Sequence, residues 1–385
     1  MEKQQAVSAI MEPLAIEYIQ TRAGLEDLAG RLARHSAVAA DLEADSMHHF
    51  EEKVCLLQLG TTEGCYVVDP LAVADLSALA PVFADPGIVK IFHGADYDMR
   101  CLYRDFGINV ENLFDTELAA RFLGYCATSL EAVIARHFDI PLDKKFQKKD
   151  WSMRPLPEEM ISYAADDVRY LVPLYREMKA ILEKKGRSEW VRQHCKDIAA
   201  VRPEPPDDRD PLFLKIKGAG RLDPKSLAVL ENLLAFRRGI ARKKDRPPFK
   251  ILGNQTLLEL ARQKPQDSES LEKSKLLSKK QFHMYGSGVI REIHSALRLA
   301  PEQRPSYPRN KSKSVSPAVT SRIRNLKQWR QQKAEQLEMD PALILNKAAL
   351  RQLAEKQPKT RQALDEIPEL KPWQKDQFAD EWIRM

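Results

Sequence analysis

The chain has 385 residues, 43% hydrophobic and 30% charged, so it can bury the cores of two or three domains and is neither disordered nor fibrous throughout. No apolar run approaches the roughly 20 residues that span a bilayer. Residues 1–11 lack the pattern of a secretory signal, and we therefore predict a cytoplasmic protein without a membrane partner. Five cysteines without a zinc-binding spacing indicate reduced core thiols.

The net charge of +6 hides an asymmetry along the chain. Residues 1–200 contain 23 Lys and Arg against 32 Asp and Glu, whereas residues 201–385 contain 38 against 23. An acidic half beside a strongly basic half suggests a site that concentrates carboxylates, joined to a region that attracts polyanions. Solvated charged faces on both halves are the alternative, and charge alone does not decide between the two.

The first part of the chain mixes short apolar strands with helical patterns, which predicts an α/β domain with a mixed sheet. The predicted strands lie at 37–41, 54–59, 65–68 and 88–92. The predicted helices lie at 24–34, 74–83, 95–106, 113–123, 130–137 and 157–184.

Two proline-rich stretches divide the remainder, because proline cannot continue a helix and such compositions favour extended chain. We predict an N-terminal domain at 1–201, linkers at 202–211 and 301–318, and further domains at 212–300 and 319–385. The two later domains show no convincing strand pattern and are predicted to be small all-α domains. Their clearest helices are predicted at 227–238 and 319–336.

Four acidic residues of the first domain are candidates for chemistry. Asp41 and Glu43 end the first predicted strand, and residues two apart on a strand project from the same face. Asp98 lies in the first turn of the helix after the 88–92 strand. Asp167 lies four residues after Tyr163 on a later helix, so these two side chains share one helix face.

Four carboxylates that converge need cations, since like charges at close range repel one another and raise their pKa values. Hard oxygen ligands suit Mg²⁺ or Mn²⁺, and two such ions about 3.5–4 Å apart can stabilise both the attacking and the leaving oxygen of a phosphodiester. For any single acid, a helix cap or a surface charge is the alternative. That alternative is weakest for Asp41 and Glu43, because two acids that close an apolar strand are costly unless they are used.

These residues lie in motifs that resemble the DEDD superfamily of 3′→5′ exonucleases, in its tyrosine branch. Asp41-Leu-Glu43 resembles the first motif, Phe92-His-Gly-Ala-Asp-Tyr-Asp98 the second and Tyr163-Ala-Ala-Asp-Asp167 the third. The stretches Phe114-Asp-Thr116 and Asp150-Trp-Ser-Met-Arg-Pro-Leu156 resemble the ribonuclease D family. Each motif is short, but their order over about 130 residues is specific.

The basic half extends the resemblance. Arg246-Pro-Pro-Phe-Lys-Ile-Leu-Gly-Asn254, followed by Leu257-Leu-Glu-Leu-Ala261, resembles the core of the helicase-and-RNase-D C-terminal (HRDC) domain. A second, diverged copy would fit residues 319–385. The resemblance therefore implies an RNase H-like mixed sheet with flanking helices, followed by two HRDC-type helical domains.

The resemblance also implies the chemistry of the site. It implies two divalent metal ions, Mg²⁺ or Mn²⁺, bound by Asp41, Glu43, Asp98 and Asp167, with Asp41 bridging both and Asp98 on the second ion. It implies that Tyr163 orients the attacking water, because a phenol is a poor general base at neutral pH. The implied activity is hydrolysis of RNA from a free 3′ end, on substrates such as tRNA precursors, with release of nucleoside 5′-monophosphates and no nucleotide cofactor.

The neighbouring residues receive structural interpretations. We expect a structural role for His93, surface or supporting roles for Asp96 and Asp166, and a helix cap or supporting role for Asp115. The basic run Lys144, Lys145, Lys148 and Lys149 is either a solvated loop or a rim that contacts phosphates. Two other functions stay open, namely a DNA-directed 3′–5′ exonuclease of the same fold and an inactive RNA-binding scaffold.

Overall fold

The computed structural model describes residues 14–203, 210–308 and 316–385. These residues form two compact units. The first unit contains residues 14–44, 54–203 and 316–385, and the second contains 45–53 and 210–308. The predictions for residues 1–11, and for residues 204–209 and 309–315 of the two proline-rich linkers, concern positions outside the described residues.

The first unit is built on one mixed six-stranded sheet, within the described residues. Its strands are β1 (Ala15–Ile19), β2 (Ala37–Ala44), β3 (Val54–Gly60), β4 (Gly64–Val68), β5 (Val89–Phe92) and β6 (Leu113–Asp115). Their spatial order is β1-β4-β3-β2-β5-β6. The β2–β3 and β3–β4 pairs are antiparallel, whereas β1–β4, β2–β5 and β5–β6 are parallel.

The central strands β3 and β4 are buried along their whole length because both faces of the sheet are covered. The covering helices are α1 (Arg22–Leu32), α2 (Pro70–Val73), α3 (Ala80–Ala84), α4 (Asp96–Phe106), α5 (Thr116–Phe122), α6 (Leu130–Phe138), α7 (Glu158–Arg169), α8 (Leu171–Lys184) and α9 (Ser188–Ala199). Burial on both faces explains why these strands read as continuous apolar runs.

The predicted fold class, an α/β domain with a mixed sheet followed by helical domains, is confirmed. Some predicted elements were wrong in detail. The helix predicted at 113–123 begins with the three-residue strand β6, and the helix predicted at 157–184 is interrupted at Tyr170. The helix predicted at 74–83 consists of a 3₁₀ turn, Ser77–Leu79, and the short helix α3. The strand β1 and the helix α9 were not predicted.

The last helical domain packs on the sheet-containing domain within the same unit. Its helices are α15 (Pro317–Leu337), α16 (Pro341–Ile344), α17 (Lys347–Lys356), α18 (Arg361–Asp365) and α19 (Pro372–Arg384). Trp373 at the start of α19 stacks on Trp190 of α9, with ring centroids 4.3 Å apart and planes at 17°. The two domains therefore share one continuous apolar core.

The second unit is helical. It contains α10 (Pro224–Lys243), α11 (Pro248–Ile251), α12 (Asn254–Gln263), α13 (Ser268–Lys273) and α14 (Lys279–Leu297) around its own apolar core. Residues 45–53 group with these helices: the Phe50 ring packs on the core, and its N–H donates to Asp245 Oδ1 at 3.1 Å.

All five cysteines lie in the described residues and none forms a disulfide. Four of them are buried, whereas Cys126 is exposed, so the expectation of a core position was wrong for that residue. No helix in residues 14–203, 210–308 and 316–385 is long and apolar enough to cross a membrane.

Candidate active site

The site begins where β2 extends beyond its parallel neighbour. The β2–β5 pairing runs from Ala37 opposite Val89 to Ala39 opposite Ile91. Asp41 and Glu43 follow on the same strand and are half-buried, two residues apart and therefore on one face. Both residues remain paired with β3, opposite Gln58 and Leu56, and lie beyond the segment of β2 that pairs with β5.

The turn after β5 brings Asp98 to this end of the sheet. Gly94 has a φ of +77°, which favours glycine, and α4 follows with Asp98 buried in its first turn. The Asp115 carboxylate at the end of β6 accepts hydrogen bonds from four backbone N–H groups. Those of Gly94 and Ala95, at 3.0 and 2.9 Å, hold this turn. Those of Glu117 and Leu118, at 2.9 and 3.1 Å, cap the start of α5.

Helix α7 contributes Tyr163 and Asp167 from one face. The helix lies unusually close to the sheet, because a Cβ atom at Gly60 of β3 would stand only 2.9 Å from the Val168 carbonyl oxygen. Tyr163 is buried, and its ring contacts Phe146 edge-on with centroids 5.6 Å apart and Trp151 at 6.1 Å. The absence of a side chain at residue 60 therefore fixes how near Asp167 comes to the strand that carries Asp41.

These elements enclose a cavity of about 540 Å³. Asp41, Glu43, Tyr163 and Asp167 line it, whereas Asp98 does not. The remaining wall comes from the start of α5, from α6 and its preceding loop, and from the segment before Trp151. The wall residues with polar side chains are His93, Glu117, Thr128, Ser129, Glu131, Asp143, Lys144 and Gln147.

The four carboxylates interact electrostatically. Burial raises the pKa of Asp41, Glu43, Asp98 and Asp167 above that of an ordinary carboxyl. For each of the other three, repulsion by the Asp41 carboxylate is the next largest cause of the raised pKa. Asp41 is thus the electrostatic centre of the cluster.

Tyr163 stays a protonated phenol at neutral pH. Burial raises the pKa of its hydroxyl, and the carboxylates of Asp167, Glu43 and Asp41 raise it further. A phenol with a raised pKa donates a hydrogen bond and does not accept a proton.

The donor set fits hard divalent cations, since it consists of carboxylate oxygens whose mutual repulsion a cation relieves. Within the described parts of the chain, no three His, Cys, Asp or Glu side chains are close enough together to hold an ion as they stand. The fit therefore rests on the chemistry of the four carboxylates, three of which line one cavity while the fourth, Asp98, interacts electrostatically with Asp41 and Glu43.

Residues beside the motif acids have other partners. Asp96 forms an exposed ion pair with Arg100 at 2.9 Å, and Asp166 forms a half-buried ion pair with Arg169 at 3.0 Å. His93 Nδ1 lies 2.9 Å from the Thr116 hydroxyl, which itself donates to the Phe92 carbonyl. Of the basic run, Lys144 pairs with Glu131 and Lys145 pairs with Glu159, so two of its members are neutralised.

Arg154 is the important residue that sequence reasoning missed. Its guanidinium donates two hydrogen bonds of 2.6 Å to the buried carboxylate of Asp69, and one of 2.9 Å to the Cys55 carbonyl. Tyr18 also donates to Asp69, at 2.6 Å. Arg154 thereby fastens the segment that carries Trp151, beside Tyr163, to the sheet. Arg154 lies in the Asp150–Leu156 motif, so the motif includes the residue, but the sequence does not show that Asp69 is its partner.

Comparison with known proteins agrees with this architecture. A family model described as 3′-5′ exonuclease matches residues 16–183, and the HRDC domain model matches residues 226–293 and 320–385. Ribonuclease D of Pseudomonas paraeruginosa is 31% identical over 339 residues, which cover 88% of this chain and 89% of that protein. The chain belongs to the ribonuclease D family.

Two further known proteins are similar to this chain, one over part of its own length and one in fold. The human exosome complex component 10 is 32% identical over 269 residues, 68% of this chain, but the chain spans only 30% of the length of that protein. The crystal structure of Escherichia coli RNase D, described as an exoribonuclease involved in structured RNA processing, superposes with a TM-score of 0.71. It is 24% identical and covers 96% of this chain and 98% of its own, which shows a common fold.

Proposed function

We propose that the protein is a metal-dependent 3′–5′ exoribonuclease that removes nucleoside 5′-monophosphates from a free RNA 3′ end. The observation that carries this proposal is that Asp41, Glu43 and Asp167 line one cavity together with Tyr163. The Asp98 carboxyl does not line the cavity but interacts electrostatically with Asp41 and Glu43. Membership of the ribonuclease D family supports the direction and the class of substrate.

In this proposal the four carboxylates hold two divalent ions, Mg²⁺ or Mn²⁺. Bound ions would offset phosphate charge and promote formation of a hydroxide nucleophile from water. Asp41 is the residue best placed to serve both ions, because its charge acts on all three of the other carboxylates. The Tyr163 hydroxyl donates a hydrogen bond that orients the attacking water, consistent with its raised pKa.

The second unit offers a surface for the RNA backbone. A cavity of about 720 Å³ on it is lined by Lys244, Arg246, Lys250 and Lys280, and by no acidic side chain among the described residues. Lys244 Nζ also donates to the Tyr285 hydroxyl at 3.1 Å. Clustered lysine and arginine side chains attract phosphates without regard to base sequence, which suits an enzyme that recognises an end.

The decisive experiment follows 5′-labelled RNA with a free 3′ hydroxyl in Mg²⁺ or Mn²⁺. The expected products form a ladder of single-nucleotide steps, and a 3′-phosphate or removal of the metal by a chelator stops the reaction. Cleavage of a circular RNA of the same sequence would rule out an exonuclease.

Matched variants test the assignment of the acids. Asp98→Asn and Asp167→Asn should lower the rate by about a hundredfold or more, because each removes charge that holds a cation worth several kcal/mol of transition-state stabilisation. Asp96→Asn and Asp166→Asn change neighbouring acids that pair with arginines, and should keep most of the activity. Equal losses of activity in the two motif-acid variants and in the two neighbouring-acid variants would contradict the assignment of the acids.

The substrate class is tested on the same preparation. RNA and DNA oligonucleotides of one sequence separate ribonuclease from deoxyribonuclease activity, because only RNA presents the 2′-hydroxyl. We propose tRNA precursors with 3′ extensions as natural substrates, so a structured precursor should be shortened to a defined end.

A further inference from the structure

A turn of the last helical domain contacts α5, a helix that contributes to the wall of the candidate active site. We define the docking turn as residues 337–341, which join α15 to α16. It lies against the C-terminal end of α5, the helix whose first residues belong to the wall of the carboxylate cavity.

The docking turn is hydrogen-bonded to the C-terminal end of α5, where helix carbonyl groups lack partners within the helix. The Asp340 N–H donates to the Arg121 carbonyl at 3.2 Å, and the Arg121 side chain donates to Asp340 Oδ2 at 2.8 Å. Arg187, which is only 6% exposed, donates to the Phe122 carbonyl at 2.6 Å and also to the Leu337 carbonyl. One buried guanidinium thus bridges the end of α5 and the docking turn.

The approach is too close for any side chain at residue 124. Gly124 has a φ of +76°, and a Cβ atom there would overlap the Glu338 carbonyl group. A backbone contact of this kind is specific in position, unlike a contact between flexible side chains. Glu338 of the docking turn also forms an ion pair with Lys185 at 3.2 Å.

A second cavity, of about 470 Å³, lies between the docking turn and α5, and shares wall residues with the carboxylate cavity. Glu117 and Thr128 line both cavities, and the Thr128 hydroxyl lies 3.5 Å from Glu117 Oε1. Glu117 is one turn before Arg121 on α5, which is a helix of seven residues, about 10 Å long. Glu117 and Arg121 are four residues apart and therefore neighbours on one face of this short helix.

We infer that the docking turn positions Glu117 and Thr128, and thereby sets the width of the cavity that receives the 3′-terminal nucleotide. This inference rests on the proposed function. Arg121, Gly124, Arg187 and Asp340 are then positioning residues: they touch neither the carboxylate cluster nor the substrate, and they act through α5. The last helical domain would be part of the substrate-binding site of the nuclease.

The test compares Arg121→Ala and Asp340→Ala in the full-length protein with the wild type. Loosening α5 should raise KM for a short single-stranded RNA by about fivefold, the lower range of coupling between sites. The kcat should stay near the wild-type value, because the four motif acids lie on other elements. The double variant should resemble each single variant, and Arg121→Lys should recover most of the loss.

Arg192→Ala is the control, since Arg192 pairs with Glu189 on the exposed face of α9, away from the docking turn. It should leave KM unchanged. A lower melting temperature for Arg121→Ala with an unchanged KM would show that the turn only stabilises the fold, and a fall in kcat alone would equally overturn the inference.

Failure of the proposed function is distinguishable. If the wild type bound RNA without cleaving it, the exonuclease proposal would fail. The role of the docking turn would then be tested by the dissociation constant of the same RNA, measured by fluorescence anisotropy. This constant should rise in Arg121→Ala by a factor similar to that expected for KM. Gly124→Ala provides a steric version of the same measurement.

Discussion

Tyr163 carries a prediction at the scale of a single atom. Tyr163→Phe keeps the ring between Phe146 and Trp151 and removes only the hydroxyl. Loss of one oriented hydrogen-bond donor should lower kcat by about a hundredfold, with little change in KM. Single-turnover hydrolysis of RNA measures this directly.

Tyr170→Phe, at the end of the same helix, is the control and should be close to the wild type. The raised pKa of Tyr163 adds a second check. Because the phenol stays protonated through the neutral range, activity should not rise in parallel with tyrosinate formation at alkaline pH. A rate that followed ionisation of a tyrosine would show that the residue acts as a base.

Asp69 is the residue whose loss should most affect stability. Burial alone would raise the pKa of Asp69, but the hydrogen bonds from Arg154 and Tyr18 outweigh it and hold that pKa below its ordinary value. Asp69→Asn leaves the Arg154 guanidinium without its anion, and should lower the free energy of unfolding by about 3 kcal/mol at pH 7.

The same pair gives a pH dependence. Because the folded pKa of Asp69 lies below the unfolded value of about 3.9, its stabilisation is present above that pH and is lost as the pH falls through the folded pKa. The stability difference between the wild type and Asp69→Asn, measured by urea unfolding, should therefore shrink below about pH 4. A constant difference down to pH 2 would mean that the ion pair is not its source.

At the scale of elements, the distance between α7 and β3 is the sensitive quantity. Gly60→Ala would place a methyl group 2.9 Å from the Val168 carbonyl oxygen and push the helix outward. We expect a loss of about 1–3 kcal/mol in stability, and a fall in activity larger than unfolding explains, because Tyr163 and Asp167 move with the helix. Thermal unfolding and RNA hydrolysis on one preparation separate the two effects.

Gly30→Ala is the matched control. Gly30 lies inside α1 with nothing within 4 Å of an added Cβ atom. Alanine is favoured over glycine in a helix interior, so this variant should be slightly more stable, by about 0.5–1 kcal/mol, and fully active. If both variants lost activity alike, the close approach at Gly60 would not be the cause.

The elements also show what sequence could and could not predict. The sequence predicts that Asp41 and Glu43 share a strand face and that Tyr163 and Asp167 share a helix face, because these periodicities are local, and all four residues line one cavity. The sequence predicts a helix where β6 lies, because three residues are too few to display a period of two. Arg154 and Asp69 are 85 residues apart, and no local pattern records such a pair.

At the scale of the molecule, the basic cavity of the second unit predicts how RNA affinity depends on salt. Each phosphate neutralised on single-stranded RNA contributes about −0.7 to the slope of log affinity against log salt. Replacing both Lys250 and Lys280 by alanine should therefore make the slope shallower by about one unit. A dinucleotide has a single phosphodiester, which the hydrolysis site itself binds, so its cleavage should not change.

Lys273→Ala removes a lysine of the same unit that pairs with Glu269, and should leave the salt slope unaltered. Affinity for a long RNA, titrated by fluorescence anisotropy between low and physiological salt, decides the matter. An unchanged slope in the double variant would mean that this cavity does not contact the RNA backbone.

The stacking of Trp373 on Trp190 has a consequence for synthesis on the ribosome. Trp190 leaves the ribosome 183 residues before its partner, and ribosomes add about 5–20 residues per second, so its apolar surface stays uncovered for roughly ten seconds or longer. The exonuclease domain must tolerate an exposed aromatic patch throughout that interval. Slow translation of the region between them would lengthen the time during which nascent chains can aggregate, and a chaperone that shields aromatic side chains would raise the yield.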